Sequence, residues 1–199
     1  MAMVIGLTGS IATGKSTVSQ MFKDFEIPVV DADKIAREVV NPGEEAYERV
    51  VKVFGESILL PNQTLDRKAL GSLIFKDEAK RKLLNSIIHP AIRERIFERK
   101  DAHIKAGEQC VVLDVPLLFE GDYSKVVDRT IVVAVDEAVQ LERLMKRNEL
   151  TEEEARERIN SQLSIKEKAK LADAVIDNNG TIAQSREQLK NLLSLWNIR

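Results

Sequence analysis

Gly9-Ser10-Ile11-Ala12-Thr13-Gly14-Lys15-Ser16 follows the spacing G-x-x-x-x-G-K-[ST]. Glycines at the two ends of such a loop let backbone N–H groups turn inward around phosphate oxygens. The helix that follows points its positive end at the same anion. In this arrangement the lysine reaches the β- and γ-phosphates and the next hydroxyl ligates Mg²⁺, roles that fall here to Lys15 and Ser16. Average residue usage produces the pattern by chance in roughly one chain in a hundred of this length, so context must decide. Here it follows an apolar run that reads as a strand and opens a helical pattern, which is the context a phosphate loop requires. Ala12, Thr13, Gly14, Lys15, Ser16 and Thr17 are the candidate contacts to ATP.

Acids stand where such a loop would use them. Val111-Val112-Leu113 ends in Asp114, which fits the strand-end carboxylate that holds Mg²⁺ beside a phosphate loop; a cap before Pro116 is the alternative. Asp31-Ala32-Asp33 closes a short strand with two carboxylates two residues apart. Phosphoryl transfer to an alcohol needs a group that accepts or positions the hydroxyl proton, and Asp33 is the candidate. The alternative for either aspartate is an N-cap on the helix that follows.

Two arginines lack local partners. The positions three and four residues from Arg143 are Val139, Gln140, Lys146 and Arg147, and those around Arg147 include Arg143 but no carboxylate. Arg156 and Arg158, by contrast, have Glu152, Glu153 and Glu154 within one turn. An arginine pair without acids suits an anion supplied from elsewhere, as in a lid closing over a transferring phosphate. A basic face paired with a distant acid would look the same.

These groups need a scaffold that brings strand ends to one edge. Expected strands are Met3 to Thr8, Pro28 to Asp31, Gln109 to Asp114, Arg129 to Val135 and Ala174 to Ile176. The expected helices are Lys15 to Phe25, a segment from about Lys34 to before Asn41-Pro42-Gly43, Glu137 to Arg147, Glu152 to Leu163 and Ile182 to Trp196. Alternating strands and helices predict an α/β fold, a doubly wound parallel sheet of about five strands, with ligands beyond the carboxyl ends of the strands. From Glu44 to about Gly107 the pattern is helical, with Asp66 as an N-cap for Arg67 to Phe75. A longer helix from Asp77 to Ile104 is expected to break at His89-Pro90. The reading is a core of residues 1–33 and 109–199, with a lid at about 139–163, and a helical insertion at 34–108.

The composition bounds the function. The chain has 199 residues, 30 Lys and Arg against 32 Asp and Glu, and 44% hydrophobic residues. That describes a globular chain with a proper core and gives no support to a nucleic-acid binder. The single cysteine, Cys110, lies in an apolar run and reads as a buried inert thiol. No stretch is long and apolar enough for a membrane span, and the start reads as a strand rather than a signal peptide, so a cytoplasmic protein is expected. No zinc spacing and no Ser-His-Asp arrangement is present in the sequence.

Together these residues resemble the dephospho-CoA kinase family over nearly the whole chain. The shared segments are Ile5 to Ser16, Asp31 and Asp33, Asp66-Arg67, Ile88-His89-Pro90, Asp114 to Glu120, Arg143 to Gln162 and Ala172 to Gly180. The resemblance implies ATP-dependent phosphorylation of the ribose 3′-hydroxyl of dephospho-CoA, giving CoA and ADP. It implies that the insertion binds CoA, that the arginine helix is the lid, and that Asn178 and Gly180 lie by the adenine. Thr8, Asp33, Arg67, His89, Arg93, Leu118 and Phe119 are the expected substrate contacts. Shikimate kinase is the alternative within phosphate-loop kinases. That family has a glycine run after its third strand, where this chain has Asp114 to Phe119. A nucleotide-driven switch protein is the alternative from another class.

Overall fold

A computed structural model describes residues 2–75 and 77–198. The chain divides into two compact units, Met1–Val30 with Lys100–Arg199, and Asp31–Arg99.

The first unit is built on five strands: β1 (Met3–Gly9), β2 (Val29–Asp31), β3 (Cys110–Asp114), β4 (Arg129–Ala134) and β5 (Ala174–Asp177). Their order across the sheet is β2-β3-β1-β4-β5. The β1–β3, β1–β4 and β4–β5 pairings are parallel. β1 is central, so the chain leaving its carboxyl end emerges at the point where successive connections diverge to either side. Open α/β sheets bind ligands at this point.

Period-two alternation divides the strand residues between the two faces. Ile5, Leu7, Cys110, Val112, Ile131, Val133 and Ile176 share one buried cluster with Val18, Met21 and Phe22 of α1 (Lys15–Asp24) and Leu189 and Leu193 of α9 (Ile182–Leu195). Burial, and secondarily the Asp128 charge, pushes the Cys110 thiol up to about 12. It is the inert core residue that its apolar run indicated. On the opposite face, Leu118 is fully buried with its methyl carbons where a Cβ on Gly6 would lie, 2.8 and 2.9 Å away. Only glycine at position 6 lets this side chain seat on the strand.

The carboxyl half adds α6 (Glu137–Asn148), α7 (Glu152–Asn160) and α8 (Ile165–Leu171). Thr151 and Ser164 each begin a capping box, with Glu154 and Glu167 reaching back to the cap N–H. The backbone hydrogen bond from Thr151 to Glu154, and the hydroxyl of Ser164 on Glu167, hold these carboxyls below the usual range. The expected helix from Glu152 to Leu163 ends at Asn160, and α8 was not foreseen.

The second unit holds α2 (Ala32–Glu38), α3 (Glu45–Phe54), α4 (Arg67–Phe75) and most of α5 (Glu78–Lys105). Asp31 Oδ1 accepts from Lys34 N–H at 2.9 Å, so α2 begins two residues earlier than expected and Asp31 is its cap. Asp66 Oδ1 accepts from Lys68 and Ala69 N–H and caps α4 as read from the sequence. Residues between α3 and α4 are not helical throughout: a 3₁₀ turn, Glu56–Ile58, precedes a bridge from Leu59 to Leu65. α5 runs through Pro90 without a break. Proline removes one N–H and crowds the preceding turn. Here 28 helical residues and the burial of Leu84, Ile87 and Ile96 outweigh that local cost. Arg99 and Arg95 pair with Glu38 and Glu44, tying α5 to the segments before and after Asn41-Pro42-Gly43.

Candidate functional site

The phosphate loop is held by side chains from four other segments of its unit. Gly14 is the N-cap of α1 at φ 88°, and a Cβ there would stand 2.1 Å from Asn178 Nδ2. Only glycine combines that left-handed backbone with so close a neighbour. Ala12 is also left-handed, at φ 63°, which costs about 1–2 kcal/mol for a residue with a Cβ. Neighbouring bonds fix it: Thr13 Oγ1 donates to Ser10 O at 2.9 Å, and Asn178 Nδ2 donates to Thr13 O at 2.8 Å.

Two glutamines grip the peptide groups of Ile11. Gln140 of α6, almost fully buried, donates to Ile11 O at 2.8 Å, and Gln162 Oε1 accepts from Ile11 N–H at 3.1 Å. Ser10 Oγ donates to Leu163 O at 3.3 Å. The segment after α7 therefore lies against the back of the loop.

Lys15 pairs with Asp114, whose side chain is nearly buried. The register that sets Leu7 opposite Asp114 brings the carboxylate to the carboxyl edge beside the start of the loop. Thr8 is buried and its hydroxyl donates to Pro116 O at 2.9 Å. Arg143 donates to Asn178 O at 3.1 Å, while Arg147, one turn further, is exposed and bonds Asn148. Thus Arg143 has a backbone partner that a search for carboxylates along its own helix could not reveal.

The structure thus brings Thr8, Ala12, Thr13, Gly14, Lys15, Ser16, Thr17, Asp114, Arg143 and Asn178 together in one unit. Ser16 is exposed at the start of α1. Three of the expected contacts have internal roles for their side chains. Leu118 is core, because it fills the space above Gly6, and Phe119 beside it is only partly buried. The Thr8 hydroxyl is used internally. The Asn178 amide donates to Thr13 O and accepts from the Ser185 hydroxyl, each at 2.8 Å, so its side chain supports the loop. Gly180 is exposed beyond β5.

In the second unit, Asp33 is exposed in the first turn of α2. His89 and Arg93 are exposed one turn apart on α5, with the Arg93 guanidinium 5.2 Å from the Phe97 ring centre. Arg67 is exposed at the start of α4.

Gln140, Gln162, Lys168, Glu120 and Ser185 carry the site's support and had no role assigned from sequence. Ser164-x-x-Glu167 is a capping-box signal that would have located α8 and with it Lys168. The two glutamines carry no comparable local signal.

Among the described residues, no group of three or more His, Cys, Asp or Glu is arranged to hold a metal. A magnesium–nucleotide site does not need one, because phosphate oxygens and waters fill most positions. The Ser16 hydroxyl and one carboxylate, Asp114, fit that kind of donor set.

A central parallel strand, a glycine-capped loop on the following helix, and a lysine meeting a strand-end aspartate define a phosphate-loop kinase fold. A model of the dephospho-CoA kinase family matches residues 3–184. The dephospho-CoA kinase of Oceanobacillus iheyensis is 56% identical over 198 residues, 100% of both chains. A dephospho-CoA kinase structure from Campylobacter jejuni aligns with TM-score 0.75 at 30% identity over 100% of both chains. The structure of TT1252 from Thermus thermophilus aligns with TM-score 0.82 at 31% identity, covering 98% of this chain and 97% of that one. The chain belongs to the dephospho-CoA kinase family.

Proposed function

We propose that the protein transfers the terminal phosphoryl group of ATP to the ribose 3′-hydroxyl of dephospho-CoA, giving CoA and ADP, the last step of coenzyme A synthesis. Membership of the family across the whole phosphate-loop unit carries this reading. It sets aside the shikimate kinase and switch-protein alternatives.

Phosphoryl transfer asks the protein mainly for positioning and charge stabilisation. The phosphates lie along the loop from Ala12 to Thr17, with α1 pointing its N-terminus at them. Lys15 exchanges part of its attraction to Asp114 for the β- and γ-phosphates. Ser16 and Asp114 would hold Mg²⁺, which when bound neutralises charge on the phosphates. Arg143 and Arg147 supply further positive charge from α6, which acts with α7 as the lid at about 139–163. Asp33 orients the 3′-hydroxyl and takes its proton. The insertion at 34–108 binds CoA, with Arg67, His89 and Arg93 offering cationic or hydrogen-bonding contacts and Phe119 an apolar one. Gly180 lies toward the adenine.

Among the described residues no helix is long and apolar enough to cross a membrane. The reading is of a cytoplasmic enzyme, and the near-balanced charge of −2 gives no support to a nucleic-acid partner. ADP release from MgATP, compared with dephospho-CoA, shikimate, AMP or no acceptor, tests the reading. Stimulation by dephospho-CoA alone is expected, and stimulation by shikimate or AMP instead would overturn it.

A further inference from the structure

Lys168 of α8 is a cation with no role in the chemistry above. Its side chain is wholly removed from water. Its Nζ donates to Pro116 O at 2.9 Å and lies 3.1 Å from Glu120 Oε1. Removing an ammonium from water is costly, and such ion pairs are often no better for stability than apolar residues of the same volume. Stability alone therefore does not explain a lysine at this position, and its two partners suggest another role.

Pro116 O is shared with the Thr8 hydroxyl, at the end of the strand that leads into the phosphate loop. Pro116 lies two residues after Asp114, which meets Lys15. Glu120 Oε1 also accepts from Leu163 N–H at 3.3 Å. Leu163 O in turn takes the Ser10 hydroxyl, and the adjacent Gln162 holds Ile11 N–H. One ammonium group thus joins the turn that carries Asp114 to the segment that backs the loop.

We propose that Lys168 is a positioning residue for phosphoryl transfer, fixing the Asp114–Pro116 turn relative to the phosphate loop. It touches neither loop amides nor Lys15, so its effect falls first on the alignment of the carboxylate, and ADP affinity measured without Mg²⁺ should change little. The proposal rests on the kinase reading. An apolar chain of the same length fills the space but donates nothing, whereas arginine retains charge and donors.

The test uses Lys168→Met, Lys168→Arg and Glu120→Gln in the full chain. The readouts are kcat and KM with ATP and dephospho-CoA, ADP affinity by calorimetry without Mg²⁺, and thermal unfolding. For Lys168→Met, kcat is expected to fall roughly 10- to 100-fold with ADP affinity within about twofold of wild type, as for a reacting group displaced by an ångström or less. Lys168→Arg should restore most of kcat. Should Lys168→Met not fold, Glu120→Gln gives the same comparison: it keeps an acceptor for Leu163 N–H but loses the charge, and kcat should again fall with ADP affinity retained. Wild-type kcat in a folded variant would overturn the proposal. A loss of kcat matched by lost ADP affinity and a lowered unfolding temperature would also overturn it. Failure of the kinase reading would look different, because wild type itself would then make no CoA.

Discussion

Lys15, the first residue of α1, places its ammonium on the carboxylate of Asp114, the last residue of β3. The two are 99 residues apart in sequence and meet because Leu7 and Asp114 share a register across the β1–β3 pair. The pairing keeps both charges at the carboxyl edge of the sheet.

Replacing either member should cost activity, but not in the same way. Lys15→Met removes charge stabilisation of the transferring group, so kcat should fall by about 10²–10³. It also leaves the carboxylate, only 4% exposed, without this cation, so unfolding free energy should drop by up to about 3 kcal/mol. Asp114→Asn leaves a lysine that is 17% exposed and can turn toward water, so its stability cost should be smaller. Steady-state kinetics and urea unfolding of both variants check this ordering.

Gln162 closes on the Ile11 amide from the segment following α7. Gln162→Leu keeps the volume and removes the acceptor. The loop then loses a hydrogen bond that helps set its shape, and nucleotide affinity should weaken by about 1 kcal/mol, or roughly fivefold. Calorimetric titration with ADP measures it. Unchanged affinity would mean that Gln162 does not shape the loop.

Gly14 and Asn178 should be energetically coupled. Gly14→Ala introduces a Cβ at a left-handed φ and into the Asn178 amide, so about 1–3 kcal/mol of stability should be lost. Asn178→Ala loses the bond to Thr13 O but opens that space. The double variant should therefore be more stable than the sum of the singles, by at least about 0.5 kcal/mol. Additive losses in urea unfolding would contradict the packing described.

Asp31 is the cap of α2, and Asp33 is exposed in its first turn. The proposed reaction gives the acceptor proton to Asp33. In single-turnover experiments, Asp33→Asn should slow the chemical step by about 10²–10⁴ while leaving ADP affinity intact. A chemical step at the wild-type rate would remove Asp33 from the mechanism.

The parts of this structure legible in the sequence are those written in local patterns. The phosphate loop, the apolar strands ending in acids, and the caps at Asp66 and Thr151 each lie within a few consecutive residues. The structure departed from expectation where tertiary contacts decide. Pro90 signals a break that the buried face of α5 overrides. α8 is short and rich in charge, and its packing depends on burying Lys168 against Pro116 and Glu120. Leu118 follows the acid at the strand edge, where an apolar residue reads as core by default and could equally line a pocket; the sequence does not show that it seats over Gly6. Gln140 and Gln162 meet at Ile11 from distant positions, and no spacing in the sequence encodes that meeting.

In the proposed reaction the phosphate leaving ATP appears on the acceptor and not on water. The direct measurement is the ratio of CoA formed to ADP released with MgATP and dephospho-CoA, both products quantified in the same reaction. One CoA is expected for each ADP, with little ADP when acceptor is withheld. ADP released at the same rate with or without dephospho-CoA, and no CoA formed, would contradict it.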